Sequence, residues 1–512
     1  MENKKRISIN ILSQIVVFFV GLGVSFVLTP FITAKLGKEV YGFVGMAYQV
    51  TSYITLFTIA FTSMHNVFVA TEYHKGNIAE ANKYFASVTI IDTFLSVILI
   101  IPLFCVVLFL EKILDVPSDS LYDIKALWAF IFALFLVNLA NGTYAVGNYI
   151  KNRLELNAIR NLISNAIRGI LLLSFYIFFV PKVWYVGFAS FISTIYIVLT
   201  NRQYLKKLTP DISVKISSFD IQAVKKLFGV GIWNTVNSLT YILNSGLDLV
   251  ISNLYIGALG MSLLSYAQTI PTQVYNLISA IFGAFNPELN RLYAEKKTEL
   301  LLLELKNAMK IGGVICSVPI IGIVTFGPDF YRLWLPSLSE NEIVTIQILS
   351  ILILMPTLFD MYITPIHSMT TITKKIKIPM IVSLIVAVLN IIIELIVLNT
   401  TNLGIFAIEI VTAVLLTLQA VLFKPIYVAH ILEISPVLFY KTLVRGMLSS
   451  GIVLTFFVGV KQLYVIDSWG KLFLTAIVLG AIGYIISMFT LLNKQERKRI
   501  LSFIKRKIGS KK

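Results

Sequence analysis

Five polar side chains recur at helical spacing inside an otherwise apolar segment near the middle of the chain. They are Asn234, Asn237, Tyr241, Asn244 and Asp248, and their alternating intervals of three and four residues predict one face of a helix. Amide, phenol and carboxylate groups bind hydroxyl groups and cations, but the set contains no nucleophile beside a base, so we assign no catalytic residue. The stripe either lines a water-filled path or bonds neighbouring helices, and its length and terminal carboxylate favour a substrate-binding lining.

Three other apolar segments carry similar polar faces. Each combines amide, hydroxyl, carboxylate or imidazole groups at intervals of roughly one helical turn, so each offers a face that water can wet. The predicted substrate-binding residues on these faces are Asn138, Asn141 and Asn148 in one segment, Gln273 and Asn276 in a second, and Asp360 and His367 in a third.

Arg168 stands out as the Arg or Lys placed deepest within a predicted span. A guanidinium at that depth suits a phosphate or diphosphate, which it contacts through two parallel hydrogen bonds. The alternative is a structural ion pair with Asp92, which lies at a similar predicted depth. Both alternatives stay open from the sequence. A metal site is not predicted, because Cys105 and Cys316 lie apart in apolar segments and read as core residues.

Two carboxylates, Glu394 and Glu409, lie near the outer ends of consecutive apolar segments joined by a short turn. Such a pair in a low dielectric can share a proton, which would couple transport to H⁺. Simple exposure among lipid headgroups is the interpretation that the sequence favours.

The elements that must hold these residues are membrane-spanning helices. The chain has 512 residues, of which 57% are hydrophobic and only 13% charged, whereas soluble domains carry about 25% charged residues. Runs of roughly 20 apolar residues, each long enough to cross a bilayer, recur along the whole chain. We predict fourteen of them, near 9–34, 42–70, 86–110, 126–149, 159–180, 183–201, 227–255, 260–287, 309–327, 343–369, 379–398, 403–423, 442–460 and 472–492.

Basic residues orient this map. The formal net charge is +17, and most of the 43 Lys and Arg residues fall in loops that lie on one side of the predicted membrane. The positive-inside rule makes that side cytoplasmic and places both termini there. We therefore attribute the positive charge to topology and predict no nucleic-acid partner.

The chain divides into regions of comparable hydropathy. Spans 1 to 6 and 7 to 12 match in order and orientation, which predicts a parallel repeat of two six-helix lobes related by a pseudo-twofold axis around a central cavity. The predicted regions are an N-terminal lobe at 1–202, a cytoplasmic connector at 203–226, a C-terminal lobe at 227–424, two additional transmembrane helices at 425–492 and a basic cytoplasmic tail at 493–512.

Enzyme signatures are missing from the sequence. It contains no phosphate-binding loop of the GxxxxGK[ST] type, no HExxH and no GxSxG. The predicted outer loops are also too short to hold a catalytic domain. We therefore predict a transporter that is not an enzyme and needs no cofactor.

Short motifs then indicate a family. Residues 10–14 (NILSQ), 28–31 (LTPF), 35–42 (KLGKEVYG) and 286–289 (NPEL) are similar to Wzx-like flippases. With the predicted layout, the chain resembles the polysaccharide-transport branch of the multidrug/oligosaccharidyl-lipid/polysaccharide exporter superfamily. The resemblance implies a bacterial plasma-membrane flippase that moves undecaprenyl-diphosphate-linked oligosaccharide from the inner to the outer leaflet by alternating access, for capsule, O-antigen or teichoic acid assembly.

The resemblance leaves a second transport function open, a cation-coupled multidrug antiporter of the same fold. That antiporter would use Asp248 or Asp360 as its ion site. The expected partners of the chain are the lipid-linked oligosaccharide, membrane lipid and H⁺ or Na⁺ as a coupling ion. The single deep Arg168 contrasts with several predicted intramembrane acids, among them Asp248 and Asp360. An acidic cavity would suit a glycan that bears a cationic group, such as a choline-decorated teichoic acid.

Overall fold

The structure, a computed structural model, describes residues 23, 26, 29–151, 153–283 and 285–497, and within these ranges it is helical with no strand. The helices of the first half are α1 Lys38–Thr62, α2 His65–His74, α3 Ile78–Leu108, α4 Leu110–Ile113, α5 Leu121–Asn141, α6 Val146–Ile150, α7 Leu154–Phe178, α8 Trp184–Leu208, α9 Ile221–Tyr241 and α10 Asp248–Ile256. Those of the second half are α11 Ala258–Gly283, α12 Asn286–Ala294, α13 Thr298–Trp334, α14 Glu340–His367, α15 Met369–Ile372, α16 Lys377–Thr400, α17 Phe406–Leu418, α18 Lys424–Ile431, α19 Val437–Lys461 and α20 Trp469–Leu491.

The predicted all-α, polytopic membrane architecture is confirmed. In the described ranges, ten helices are long and apolar enough to cross a membrane, and the bent pair Lys38–Leu56 and Thr58–His74 would make an eleventh. The seventh and eighth predicted spans are helical but are not among these ten helices, and both carry several polar side chains. The first span and most of the basic tail lie outside the described residues, so the count of fourteen stays a prediction.

The chain forms two compact units, Met1–Ser262 and Leu263–Lys512. This division falls later than the predicted lobe boundary, because α9 and α10, assigned from the sequence to the second lobe, pack within the first unit. Within the predicted connector at 203–226, α8 continues to Leu208 and α9 begins at Ile221. The lobe boundaries at 202 and 227 stay a prediction.

A glycine allows α9 to approach α1 closely. A Cβ atom built on Gly231 would lie 1.8 Å from the carbonyl oxygen of Ala60. Backbone atoms at that distance cannot move aside without shifting a whole helix. The close contact therefore explains why α9 belongs with the first unit.

Replacing Gly231 by Ala should destabilise the protein by about 1–3 kcal/mol through overpacking against α1. Gly229, on the same helix, is the matched control, since a Cβ there meets open space. Gly229→Ala should be neutral or slightly stabilising, because Ala favours a helix by about 1 kcal/mol over Gly. Thermal unfolding in detergent measures both variants, and equal melting temperatures would contradict the close packing.

Tyr362 lies at a close helix contact in the second unit, where α13, α14 and α19 meet. Its ring is fully buried, and it fills the space left by Gly313 and Gly446, where added Cβ atoms would lie 2.1 Å and 2.3 Å from the ring. The Tyr362 hydroxyl donates to the Gly446 carbonyl at 2.9 Å and lies 3.1 Å from the Ser450 hydroxyl. This packing fixes α14, the helix that carries Asp360 and His367, against α19.

Candidate functional site

The helix with the five-residue polar stripe is interrupted by a π-turn. Ile242–Gly246 forms the turn between α9 and α10, and the Tyr53 hydroxyl of α1 donates a hydrogen bond to the Gly246 carbonyl oxygen. A π-turn carries one residue more than an α-turn and rotates everything beyond it. The prediction of a single face across all five residues is therefore wrong, because the spacing argument assumes an unbroken α-helix.

The two sides of the turn have different surroundings. Before it, Asn237 and Tyr241 are exposed, and Asn234 is half-buried and donates to the Ser63 hydroxyl at 3.1 Å. Within and after it, Asn244 and Asp248 are buried. The exposed members can contact a solute, whereas the buried members belong to the interior of the first unit.

The asparagines of the fourth predicted span also separate into exposed and buried groups. Asn138 is exposed. Asn141 is buried, and its side-chain oxygen accepts a hydrogen bond from Arg202 at 2.5 Å. Asn148 is buried as well and donates to the Asn157 side-chain oxygen at 2.5 Å. Asn138 is thus open to a ligand, while Asn141 and Asn148 tie α5 and α6 to α8 and α7.

The arginine that the structure buries is Arg160, not the Arg168 that stands out in the sequence. Arg160 is 5% exposed, and its guanidinium donates to the side-chain oxygens of Asn157 and Asn201. Arg168 is half-buried, and the alternative ion pair is not formed, since no Arg168–Asp92 contact lies within 4.0 Å. Asp92 is 2% exposed, with one carboxyl oxygen buried and lacking a hydrogen-bond partner.

The polar residues of the eighth predicted span lie on α11. Gln273 is half-buried and Asn276 is exposed. The structure therefore leaves Asn276 open to solvent or lipid, as it does Asn138 and Asn237.

The second unit brings a cation and two predicted site residues together. The Lys424 ammonium of α18 lies 2.6 Å from a carboxyl oxygen of Asp360 on α14, and both charged groups are in electrostatic range of His367. The exposed fractions of the Lys424 and Asp360 side chains are 17% and 28%. Lys424 lies toward the C-terminal end of the helical stretch Phe406–Ile431, which is long and apolar enough to cross a membrane, so Arg168 is not the only cation on a predicted spanning helix.

A second π-turn positions Lys424. Gln419–Phe423 forms this turn between α17 and α18, and the Tyr440 hydroxyl of α19 donates to the Val421 carbonyl at 2.8 Å. In both units, then, a tyrosine from another helix satisfies a carbonyl at the turn, and a charged residue follows it closely. π-turns inside α-helices occur frequently at functional sites.

Glu394 and Glu409 are buried rather than exposed among headgroups. The Glu394 carboxyl is 0% exposed and accepts from Asn390 at 2.6 Å and from the Thr412 hydroxyl at 2.8 Å. Glu409 is 2% exposed, hydrogen-bonds Gln268 and interacts electrostatically with Glu394. Among the described residues, no Lys or Arg lies within 4.0 Å of either carboxyl. The predicted surface exposure is wrong, because α17 packs against α14 and α16 on this side.

A known family model matches more than half of the chain. Residues 5–292 match the family model described as polysaccharide biosynthesis protein. The chain belongs to this family. The resemblance stated from the short motifs is thereby confirmed at the level of the family.

The chain is similar to one curated protein in sequence and to solved membrane transporters in fold. It is 23% identical over 506 residues to the uncharacterized membrane protein EpsK of Bacillus subtilis (strain 168), covering 99% of each chain. It is similar to the lipid II flippase MurJ, with a TM-score of 0.67 and 15% identity over 94% of this chain and 98% of that chain. It is also similar to an inward-facing multidrug resistance MATE transporter of the MOP superfamily, with a TM-score of 0.66 and 16% identity over 84% and 97% of the two chains.

Sequence reasoning missed Lys424. The predicted twelfth span ended at residue 423, where the apolar run stops, and Lys424 was counted with the adjoining loop. The Lys-Pro pair at 424 and 425 was the available signal, since Pro is favoured at the start of a helix. Lys424 also neutralises Asp360, which removes part of the argument for an acidic cavity.

Proposed function

We propose that the chain is a flippase that moves undecaprenyl-diphosphate-linked oligosaccharide from the inner to the outer leaflet by alternating access. The observation that carries the proposal is the Lys424–Asp360 pair, held at 2.6 Å between two helices that are long and apolar enough to cross a membrane, in a chain of this family. A diphosphate cannot cross hydrocarbon unaided, since an unpaired charge in a low dielectric costs several kcal/mol or more. An ammonium group inside the span offers that charge a partner.

Exposed amides supply the sugar-binding part of the proposal. Asn138, Asn237 and Asn276 are exposed on three different helices of the chain. Amide groups both donate and accept hydrogen bonds, so they exchange readily between water and sugar hydroxyls. These three residues are the substrate contacts that we propose, and the buried Asn141 and Asn148 fix the neighbouring helices through their hydrogen bonds to Arg202 and Asn157.

The proposed function also implies a membrane and an orientation for the chain. We propose the bacterial plasma membrane as the site, with both termini cytoplasmic, so that the cargo enters from the leaflet where it is made. Capsule, O-antigen and teichoic acid precursors are the candidate glycans. The positive-inside pattern supports the orientation.

Ion coupling is proposed to use Glu394 and Glu409. Two buried carboxyls in electrostatic contact cannot both stay ionised without a neutralising cation. We propose H⁺ as the coupling ion, with Na⁺ as the competing ion at the same oxygens. The hydrogen bonds from Asn390 and Thr412 fix the geometry of the Glu394 carboxylate for that exchange.

The second candidate function is a cation-coupled multidrug antiporter. It is supported by the fold shared with MATE transporters, of which one is described as a multidrug resistance protein, and by the buried carboxylates of Asp248, Glu394 and Glu409. An antiporter needs an ion site and a drug pocket but no contact with a diphosphate.

Deleting the gene in its host separates the two functions. A flippase deletion should accumulate lipid-linked oligosaccharide on the inner leaflet and lose surface polymer, with drug sensitivity unchanged. Leaflet-specific labelling of the lipid-linked glycan measures the first effect, and growth with cationic drugs measures the second. Normal surface polymer together with raised drug sensitivity would make the chain an antiporter.

A further inference from the structure

A proline follows Lys424 directly and disturbs the helix that leads to it. Pro425 has no N–H group, so it cannot donate the hydrogen bond that the Val421 carbonyl oxygen, four residues earlier, would accept in a regular helix. Its ring also crowds that carbonyl. The second π-turn, Gln419–Phe423, lies at this point. Since hydrocarbon offers no donor, the Val421 carbonyl needs one from elsewhere in the protein.

Tyr440, near the start of α19, supplies the missing donor. Its hydroxyl donates to the Val421 carbonyl oxygen at 2.8 Å. The other end of the π-turn is held by a different helix, because the Gln419 side chain donates to the Ser383 hydroxyl of α16 at 2.7 Å. Hydrogen bonds to α16 and α19 therefore fix the turn that precedes Lys424.

Three other prolines of the second unit show the same arrangement. In each case the carbonyl oxygen four residues before the proline accepts a hydrogen bond from a side chain of another helix. The pairs are Ala267 before Pro271 with Ser350 at 3.1 Å, Ile315 before Pro319 with Tyr484 at 3.3 Å, and Val324 before Pro328 with Gln347 at 3.0 Å. Side-chain donors thus replace the bonds that prolines remove in this unit, and Tyr484 provides a direct comparison for Tyr440.

The π-turn determines where the Lys424 ammonium lies. A π-turn holds one residue more than an α-turn, so its relaxation would rotate the chain beyond it by about 100° and shift it by about 1.5 Å. Lys424 is the first residue after the turn, and its ammonium lies 2.6 Å from the Asp360 carboxyl. Such a rotation would carry the ammonium away from the carboxyl. The α19 helix also holds the other partner, because Tyr362, two residues after Asp360, donates to the Gly446 carbonyl at 2.9 Å.

We propose that Tyr440 is a positioning residue of the Lys424–Asp360 site: its hydroxyl replaces the hydrogen bond that Pro425 removes, keeps the π-turn in place and so holds the Lys424 ammonium against Asp360. The inference rests on the proposed function and gives α19, a helix outside the predicted six-helix repeat, a part in it. Tyr440 acts through the Val421 carbonyl and needs no contact with the cargo.

Tyr440→Phe removes only the hydroxyl and is the first test variant. Tyr484→Phe is the matched control, since it takes the same group from a carbonyl freed by a proline, here on α13, which carries neither Lys424 nor Asp360. Each variant should lower the melting temperature of the full-length protein in detergent by about 2–4 °C, as expected for the loss of one hydrogen bond. Stability alone therefore does not distinguish them.

The position of residue 424 is measured by cross-linking. Asp360→Cys and Lys424→Cys are combined and joined with a short bifunctional thiol reagent, after the exposed Cys105 has been replaced by Ala; Cys316 is buried. Adding Tyr440→Phe should slow the cross-linking about fivefold, because one hydrogen bond shifts an equilibrium between two conformations by about that factor. Adding Tyr484→Phe should leave the cross-linking rate unchanged.

Export is measured with the native charge pair, as surface polymer in a complemented deletion strain. It should fall in Tyr440→Phe and stay at the parent level in Tyr484→Phe. Adding Pro425→Ala to Tyr440→Phe returns an N–H group to the Val421 carbonyl, so the melting temperature should recover while the turn relaxes and both cross-linking and export stay low.

Parent-like cross-linking in Tyr440→Phe would overturn the inference and leave the flippase function standing. Slower cross-linking with export at the parent level, or recovery of both stability and export in the Tyr440→Phe/Pro425→Ala variant, would also overturn it, because Tyr440 would then serve stability alone. A parent protein that restores no surface polymer to the deletion strain would refute the proposed function and, with it, the inference.

Discussion

Replacing Lys424 by Gln should reduce export of the lipid-linked glycan by about tenfold or more, a loss of at least about 1.4 kcal/mol of transition-state stabilisation. The ammonium is the only cation that the structure places beside Asp360 within its described residues. Removing it takes away the proposed partner of the phosphate and leaves the Asp360 carboxyl unpaired. Surface polymer in a complemented deletion strain measures the export.

A double-mutant cycle separates this role from simple structural support. Breaking a buried ion pair by removing one partner costs at most about 3 kcal/mol here, because both side chains keep some exposure. Asp360→Asn combined with Lys424→Gln removes both charges and should recover thermal stability. If Lys424 acts on the cargo, this double variant will be stable and still fail to export. Recovery of export together with stability would show that the pair is only structural.

The matched control is a second ion pair of similar geometry. Lys310 lies 2.7 Å from Glu496 at comparable burial, on α13 and beyond α20. Lys310→Gln should lower thermal stability about as much as Lys424→Gln but leave export intact. Equal loss of export in both variants would mean that the effect follows from destabilisation rather than from contact with the cargo.

Much of the fold was predictable, because the bilayer imposes one length and one polarity on every span. A run of about 20 apolar residues predicts a spanning helix whatever its neighbours in the fold. The ten helices that are long and apolar enough to cross a membrane lie at predicted spans. The sequence was least decisive at the seventh and eighth spans. There the polar residues that carry the functional interest also lower the hydropathy by which spans are detected.

The arrangement of the site depended on features that spacing alone does not reveal. The π-turn at Ile242–Gly246 shifts Asn244 and Asp248 away from the exposed Asn237 and Tyr241. Such a turn is stabilised by contacts from another helix, here the hydroxyl of Tyr53. The burial of charged residues likewise depends on which helices become neighbours, and helical periodicity contains no information about neighbours in space.

Glu394 and Glu409 show how burial by neighbouring helices affects the proposed function. Their positions near a short outer turn favoured exposure, and in that case the carboxylates would carry ordinary charges in water. Packing of α17 against α14 and α16 instead removes both from solvent. A carboxyl pair without a nearby Lys or Arg has to bind a proton or a metal cation whenever it is buried, and this is the property that an ion-coupled transporter requires.

Glu394→Gln should therefore strongly reduce the transport that an ion gradient drives. The amide cannot ionise, so the Glu409 carboxyl loses the neighbour with which it exchanges a proton, while Asn390 and Thr412 keep hydrogen-bonding partners of the same size. We expect gradient-driven transport to fall about tenfold or more, corresponding to about 1.4 kcal/mol of lost coupling. Proteoliposomes with an imposed pH gradient and no Na⁺, compared with an imposed Na⁺ gradient at constant pH, measure the coupling and identify the ion.

Glu433→Gln is the control for this experiment, because Glu433 is exposed in the loop after α18 and its charge is already solvated. It should transport like the parent protein under both gradients. Glu409→Gln should behave like Glu394→Gln, since either substitution leaves a single ionisable carboxyl in the pair. Transport by both variants that still responds fully to a gradient would remove the pair from the coupling mechanism. The buried Asp92 of the first unit, which also has an unpartnered carboxyl oxygen, would then be the next residue to substitute.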